Sequence, residues 1–283
     1  MPTNLVIPET YNDGTHGLAY VTHIMTTETY ASGALYNKTT LKSVSLPRTM
    51  TDIGKYAFYM CKGLTSVSMP SCITAIRGSS LRACTSLTSI VVPRDVTHIE
   101  YAAFKSSTSI TSLSVEEGNT VFDSRDNCNA IIETATNKLA FACKTSIIPE
   151  TVVTVGSSAF EECLLTIITV PASVTVLEVA AFYICPNLKT VNILGNIVSM
   201  GYATFKTCVS LTSIVLPASL AKIGNQAFQG CTNLTSVTFK DTSTWYYTSN
   251  SGYTGGTKVT VTNATTNATY LKTTYASYYW YKV

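Results

Sequence analysis

Nine cysteines stand out among the residues that could do chemistry. Six of them, Cys61, Cys84, Cys163, Cys185, Cys208 and Cys231, occupy one position of a repeating pattern. Sulfurs stacked in that way could form a ladder of disulfides or hold a soft metal. Nine is odd, so at least one thiol is unpaired. No C-x-x-C pair exists, which leaves a zinc site without support. A free cysteine otherwise behaves as a small buried apolar side chain, and the column is expected to be reduced core. Cys128 and Cys143 flank an insertion and could pair. Cys143 also falls in an inward apolar register six residues before Pro149, which argues for core.

Asp123, Arg125, Asp126 and Asn127 form the densest polar cluster. It could bind a cation or a ligand. The spacing is not that of a calcium loop, and a turn held by Asx hydrogen bonds is the other reading. His16, His23 and His98 are the three histidines, and they are scattered. There is no G-x-S-x-G elbow, P-loop, H-E-x-x-H or Ser-His-Asp grouping. The acidic residues are dispersed, so a paired-carboxylate site is unsupported. The chain is expected not to be an enzyme, and no catalytic residue, cofactor or metal ligand is assigned.

The elements that position these residues follow from a period. Pro47, Pro70, Pro93, Glu116, Pro149, Pro171, Leu194, Pro217 and Lys240 share one column, at steps of 23, 23, 23, 33, 22, 23, 23 and 23 residues. A fixed period of this size signals a repeat architecture. Six residues past that column come Ile53, Ile76, Ile99, Val155, Leu177, Met200 and Ile223. Eleven past come Phe58, Leu81, Phe104, Phe160, Phe182, Phe205 and Phe228. One turn cannot bury its own apolar face, so it buries it against the next. Before the column, segments such as Val44-Ser45-Leu46 alternate apolar and polar, the mark of a strand with one buried face. Nine such strands, all in one direction, are expected to form a parallel sheet.

Leu64-Thr-Ser-Val67-Ser-Met69-Pro70 and Leu211-Thr-Ser-Ile214-Val-Leu216-Pro217 carry the pattern L-x-x-V-x-L-P-x-x-V-x-x-I-G-x-x-A-F-x-x-C. Over about residues 34–240 the chain resembles the leucine-rich repeat class of BspA-like surface proteins. Ser107 in place of Cys, Leu81 in place of Phe, and Gly78 one place late are local departures. The resemblance implies a leucine-rich-repeat solenoid, mostly β. Parallel strands would line its concave face, with short helical or 3-10 turns between them. It also implies an extracellular or cell-surface setting and adhesion to a host matrix protein or glycan.

Charged residues make up 12% of the chain and the formal charge is +3. No basic run exists, so nucleic acid is not an expected partner. No apolar run approaches 18 residues, so no membrane-spanning segment is expected. Met1-Pro-Thr-Asn4 begins without a basic stretch or an apolar run, so these residues are not expected to be a signal peptide. That fits either a cytosolic protein or a mature chain whose signal has been removed, and the resemblance favours the second.

Three regions are expected. Residues 1–33 read as an N-terminal cap with a degenerate first turn, since Val21-Thr-His-Ile24 resembles Val96-Thr-His-Ile99. Residues 34–240 read as the solenoid, with an insertion at about 116–147. There Ala130-Ile-Ile-Glu-Thr134 and Lys138-Leu-Ala-Phe-Ala142 suggest a β-hairpin, and the segment is similar to an insertion in the family. Residues 241–283 concentrate Trp245, Tyr246, Tyr247, Tyr253, Tyr270, Tyr275, Tyr278, Tyr279, Trp280 and Tyr281. They read as an aromatic cap with a strand at 259–261, a short helix within 263–277 and a last strand at 278–282. Sequons occur at Asn37, Asn233, Asn263 and Asn267.

The outward strand positions are mostly Ser and Thr. Ile147 and Ile167 interrupt them on adjacent rungs, next to Thr145 and Thr169. Either the insertion folds over this spot or the spot is open. With Asp123 and Arg125 of the insertion, these residues form the candidate partner-binding region. The alternatives are a structural spacer without a ligand, and carbohydrate binding through the aromatic C-terminal segment.

Overall fold

The computed structural model describes residues 3–12, 18–21, 24 and 35–283. The architecture is a parallel-strand solenoid of about nine turns with little helix. The chain divides into two compact units, Met1–Thr134 and Ala135–Val283. Thr22, His23 and His16 lie outside the described residues, and with them most of the expected first turn.

In the first unit, Asn4–Val6 pairs in parallel with Ser43–Ser45, which pairs in parallel with Ser66–Ser68. Ser89–Val92 pairs in the same sense with Ser112–Val115. A second parallel ladder runs through Asp52–Ile53, Ala75–Ile76 and His98–Ile99. These short strands sit five and six residues past the Pro column, where the sequence showed only an apolar position. The insertion begins as an antiparallel pair, Phe122–Asp123 with Ala130–Glu133.

In the second unit, Ile167–Val170 pairs with Thr190–Ile193, and Ser213–Leu216 with Ser236–Phe239, all parallel. The second ladder is longer here: Lys138–Ala142, Thr154–Val155, Val176–Leu177, Ser199–Met200 and Lys222–Ile223. The two runs expected to form a hairpin are therefore strands, one in each unit.

One of the nine expected rows has no strand before its Pro. Residues 145–148 are not extended in a ladder, and Thr145 lies in a turn. The cause is local. The Cys143 amide donates to Ser146 Oγ at 2.8 Å and the Ser146 amide donates to the Cys143 carbonyl at 3.1 Å. This tight loop takes up the residues that a strand would need.

The return path of each turn is a third ladder. Residues nine, eleven and thirteen past the Pro column donate amides to the next turn. Ala180 bonds to the Tyr202 carbonyl at 2.8 Å, Phe182 to Thr204 at 2.8 Å and Ile184 to Lys206 at 2.9 Å. Positions nine and thirteen hold left-handed backbone in row after row, as at Ala180 (φ 57°), Ile184 (φ 54°), Ala203 (φ 55°) and Thr207 (φ 61°). Such values disfavour side chains with a Cβ. The three ladders and the buried column between them impose the conformation. Gly224 has a different reason: a Cβ there would sit 2.4 Å from the Gly201 carbonyl carbon.

The inward columns are the core. Phe58, Phe160, Phe182, Phe205 and Phe228 are fully buried. Rings in successive rows of the second unit stack, with centroids 4.9, 5.1 and 5.5 Å apart from Phe160 to Phe228. A C-terminal segment closes this stack. Trp245–Thr248, Thr257–Val259 and Tyr279–Lys282 form an antiparallel sheet added to Lys222–Ile223. Helix Ala264–Thr269 is capped by Asn263, whose side chain accepts from the Thr266 amide, and it runs on into Tyr270–Thr274. In place of a further turn, buried Asn267 donates to the Val237 carbonyl at 2.9 Å, and Lys272 Nζ reaches the Leu234 carbonyl at 2.7 Å. Carbonyls at a sheet edge that would invite a foreign strand are thus occupied. Asn267 is one of the four sequon asparagines, and its amide nitrogen is committed to the Val237 and Val261 carbonyls.

Candidate functional site

The cysteine column is a hydrogen-bonded ladder of free thiols. All nine cysteines are unpaired, eight are buried and Cys72 is partly exposed. Cys84, Cys185, Cys208 and Cys231 each donate Sγ–H to the carbonyl of the Phe one row back, at 3.0–3.2 Å. Ser107, the departure from the column, donates to the Leu81 carbonyl at 2.7 Å. Ser107 thus keeps the donor that Cys84, Cys185, Cys208 and Cys231 supply in their rows. Burial pushes the Cys61, Cys84 and Cys128 thiols up, and that of Cys163 up to about 12. A buried thiol without thiolate character is inert. We expect a thiol reagent at neutral pH to label Cys72 alone in the folded protein, and all nine thiols after denaturation. Three or fewer thiols in the denatured, unreduced sample would show that most of the column is oxidised.

The insertion's polar cluster is turn chemistry. Arg125 donates Nε to Asp123 Oδ1 at 2.8 Å and Nη2 to Asp123 Oδ2, and the Arg125 amide adds a bond of 3.1 Å to Oδ1. Thr134 Oγ1 donates to Oδ2 at 3.0 Å. Burial would raise the Asp123 carboxyl, but the hydrogen bonds from Arg125 and Thr134 outweigh it and hold the group below its ordinary value. Asp126, Asn127 and Asn129 all adopt left-handed backbone, which short polar side chains tolerate best. The carboxylate is spent on its own loop. Among the described residues no group of three or more His, Cys, Asp or Glu is placed to hold a metal ion.

The remaining candidates lie in the second unit. Ile147 is 54% exposed and Ile167 60%, and Thr145 and Thr169 are exposed beside them. Ile167 and Thr169 share the outer face of one strand, with Ile168 and Val170 buried behind it. The step to the next row is 22 residues, but with no strand at 145–148 no ladder register joins Thr145 or Ile147 to Ile167–Val170. The two isoleucines belong to consecutive turns. Thr190, Asn192, Ser213, Val215 and Thr238 continue the exposed face in neighbouring turns, as the outward positions predict.

The aromatic segment divides by burial. Trp245 and Trp280 are each 1% exposed. Trp245 packs edge-on against Phe239 with ring centroids 5.0 Å apart, and Trp280 donates Nε1 to the Tyr275 carbonyl at 3.3 Å. Both indoles belong to the core and cannot stack on a sugar. Sequence reasoning treated the aromatics as one set. It missed which face of the sheet each occupies, because cross-strand register is not visible in a single segment.

A family model described as BspA type leucine rich repeat region, six copies, matches residues 10–132 and 130–251. The crystal structure of pneumococcal vaccine antigen PcpA is similar at 16% identity with a TM-score of 0.62, over 84% of this chain and 72% of that one. A leucine-rich repeat protein from Eubacterium ventriosum shares 18% identity with a TM-score of 0.48, over 83% and 80% of the two chains. A leucine-rich repeat protein of T. pallidum shares 23% with a TM-score of 0.41, over 82% and 78%. At 16% identity the likeness to PcpA is one of fold alone. No match to a curated protein was found.

Proposed function

The chain belongs to the BspA-type leucine-rich repeat family, and from that premise we propose that it is a surface-displayed interaction module of a bacterium that binds a host extracellular protein or glycan. The observation that carries this reading is the pair Ile147 and Ile167, the most exposed aliphatic side chains at the second unit's outward positions, which are mostly Ser and Thr, with Val215 less exposed further along the same unit. Their exposed side chains offer a small apolar contact point. Thr145 and Thr169 supply hydrogen-bonding groups at its rim. Asp123 and Arg125 serve their own turn, so the binding surface is assigned without them. Among the described residues no helix is long and apolar enough to cross a membrane, and the repeat surface offers no cluster of convergent titratable groups of the kind catalysis uses.

The test is capture of extracellular-matrix proteins and mucins on the purified chain, repeated with an Ile147→Asp, Ile167→Asp variant. Both positions are exposed, so the variant is expected to keep its melting temperature. Binding to the captured partner is expected to fall at least tenfold. Normal binding by the folded variant would remove this face from consideration. A chain that captures nothing from the panel would favour a spacer role.

A further inference from the structure

A second surface lies on the outer side of the C-terminal sheet. Register places Lys222, Tyr281, Tyr246 and Lys258 in one row across four adjacent strands. Paired residues share a face of the sheet, and the opposite face carries Ile223, Trp280, Trp245 and Val259 into the core. Tyr246 and Tyr281 stack at 5.3 Å. Tyr253 packs edge-on against Tyr279 and Tyr281, with ring centroids 5.3 and 6.5 Å apart. Lys222 Nζ sits 5.1 Å from the centre of the Tyr253 ring. Both lysines are exposed and the four tyrosines are partly exposed. No Asp or Glu stands in this row.

Tyr253 is held there deliberately. Its φ is 56°. Among the described residues it is the one left-handed position that is neither Gly, Asn nor Asp nor part of the two repeat columns. Its loop is tied down on both sides: the Tyr253 amide bonds to the Asn250 carbonyl at 3.0 Å, the Gly252 amide to Asn250 Oδ1 at 2.8 Å, and Thr248 Oγ1 to the Thr254 carbonyl at 2.9 Å. A bulky residue kept in a costly conformation outside the repeat ladders is a place to look for a function. The loop's order does not require a Tyr, since glycine would meet the same backbone at lower cost.

We propose that this face binds an acidic polysaccharide, a chain of pyranose rings bearing carboxylates. Aromatic faces accept the C–H face of a sugar ring, and partly exposed tyrosines add a hydroxyl at the edge. The lysines supply charge-assisted bonds to carboxylates. Three strand spacings separate them, roughly 14 Å. That span suits an extended polymer with repeated charges rather than one phosphate. A bilayer-seeking face would instead project large apolar side chains, and here both tryptophans point the other way.

The test uses polygalacturonate and hyaluronan as probes, with neutral dextran and phosphatidylglycerol vesicles as controls, on the full chain by calorimetry. Binding of at least one polyuronate and none of dextran is expected. Tyr253→Gly, which suits the left-handed backbone, and separately Lys222→Gln with Lys258→Gln, on exposed side chains, are each expected to weaken it tenfold or more. The Ile147→Asp, Ile167→Asp variant should bind polyuronate normally, so the result is independent of the interaction face proposed above. The proposal fails if neither polyuronate binds, if dextran binds equally, if vesicles bind and polyuronates do not, or if either set of variants leaves affinity unchanged.

Discussion

Phe205→Ala is expected to destabilise the protein by about 3–5 kcal/mol, the usual cost of emptying a buried Phe site. The ring is fully buried between Phe182 and Phe228, whose planes lie within 7° and 17° of its own. Its amide donates to the Ala227 carbonyl at 2.8 Å, and its carbonyl accepts the Cys231 thiol at 3.0 Å. Those backbone bonds survive the substitution. They also hold the neighbouring rows in place, so the gap cannot close by collapse, and the cost belongs at the upper part of the range. Thr190→Ala, on the exposed strand face, should stay within about 0.5 kcal/mol of the parent. Urea denaturation of the three proteins decides it: a Phe205→Ala midpoint equal to the parent's would mean the inward column has been misidentified.

Trp280→Ala is expected to cost a similar ~3–5 kcal/mol, with a different spatial signature. Trp280 stands opposite Ile223 on one side and Tyr247 on the other, so the indole covers the last rows of the stack. A repeat array is stabilised by its neighbours, and an uncovered end frays inward. Hydrogen exchange is expected to accelerate in residues 213–239 while residues 154–177 keep most of their protection. Equal acceleration in both segments would show that the second unit opens all at once and that the aromatic segment is not a local cap.

The two surfaces make opposite demands on this cap. Its inner face must be apolar and close-packed, which Trp245, Trp280 and Val259 satisfy. Its outer face is free of that requirement, yet it carries tyrosines and lysines where the hydroxyl residues of the repeats would serve for solubility. The same logic applies to Ile147 and Ile167: an exposed branched aliphatic side chain adds nothing to the stack beneath it.

The period, the inward columns and the strand before most rows of the Pro column were legible in the sequence. Each is set by residues in the same phase of the repeat, and stacking identical turns leaves only one way to bury Phe and Cys together. The place of the six column cysteines in the core was legible for the same reason, whereas the hydrogen bond from Ser107 to the Leu81 carbonyl was not. The second ladder escaped notice because two-residue strands are too short to show alternation. The missing strand before Pro149 depended on a Ser146 hydroxyl turning back to the Cys143 amide. The Asp123–Arg125 pair looked like a site because charge was counted, and only the geometry showed the carboxylate already satisfied. Which aromatics are core and which are surface was decided by register between strands far apart in the chain. A one-residue slip there would exchange the two faces.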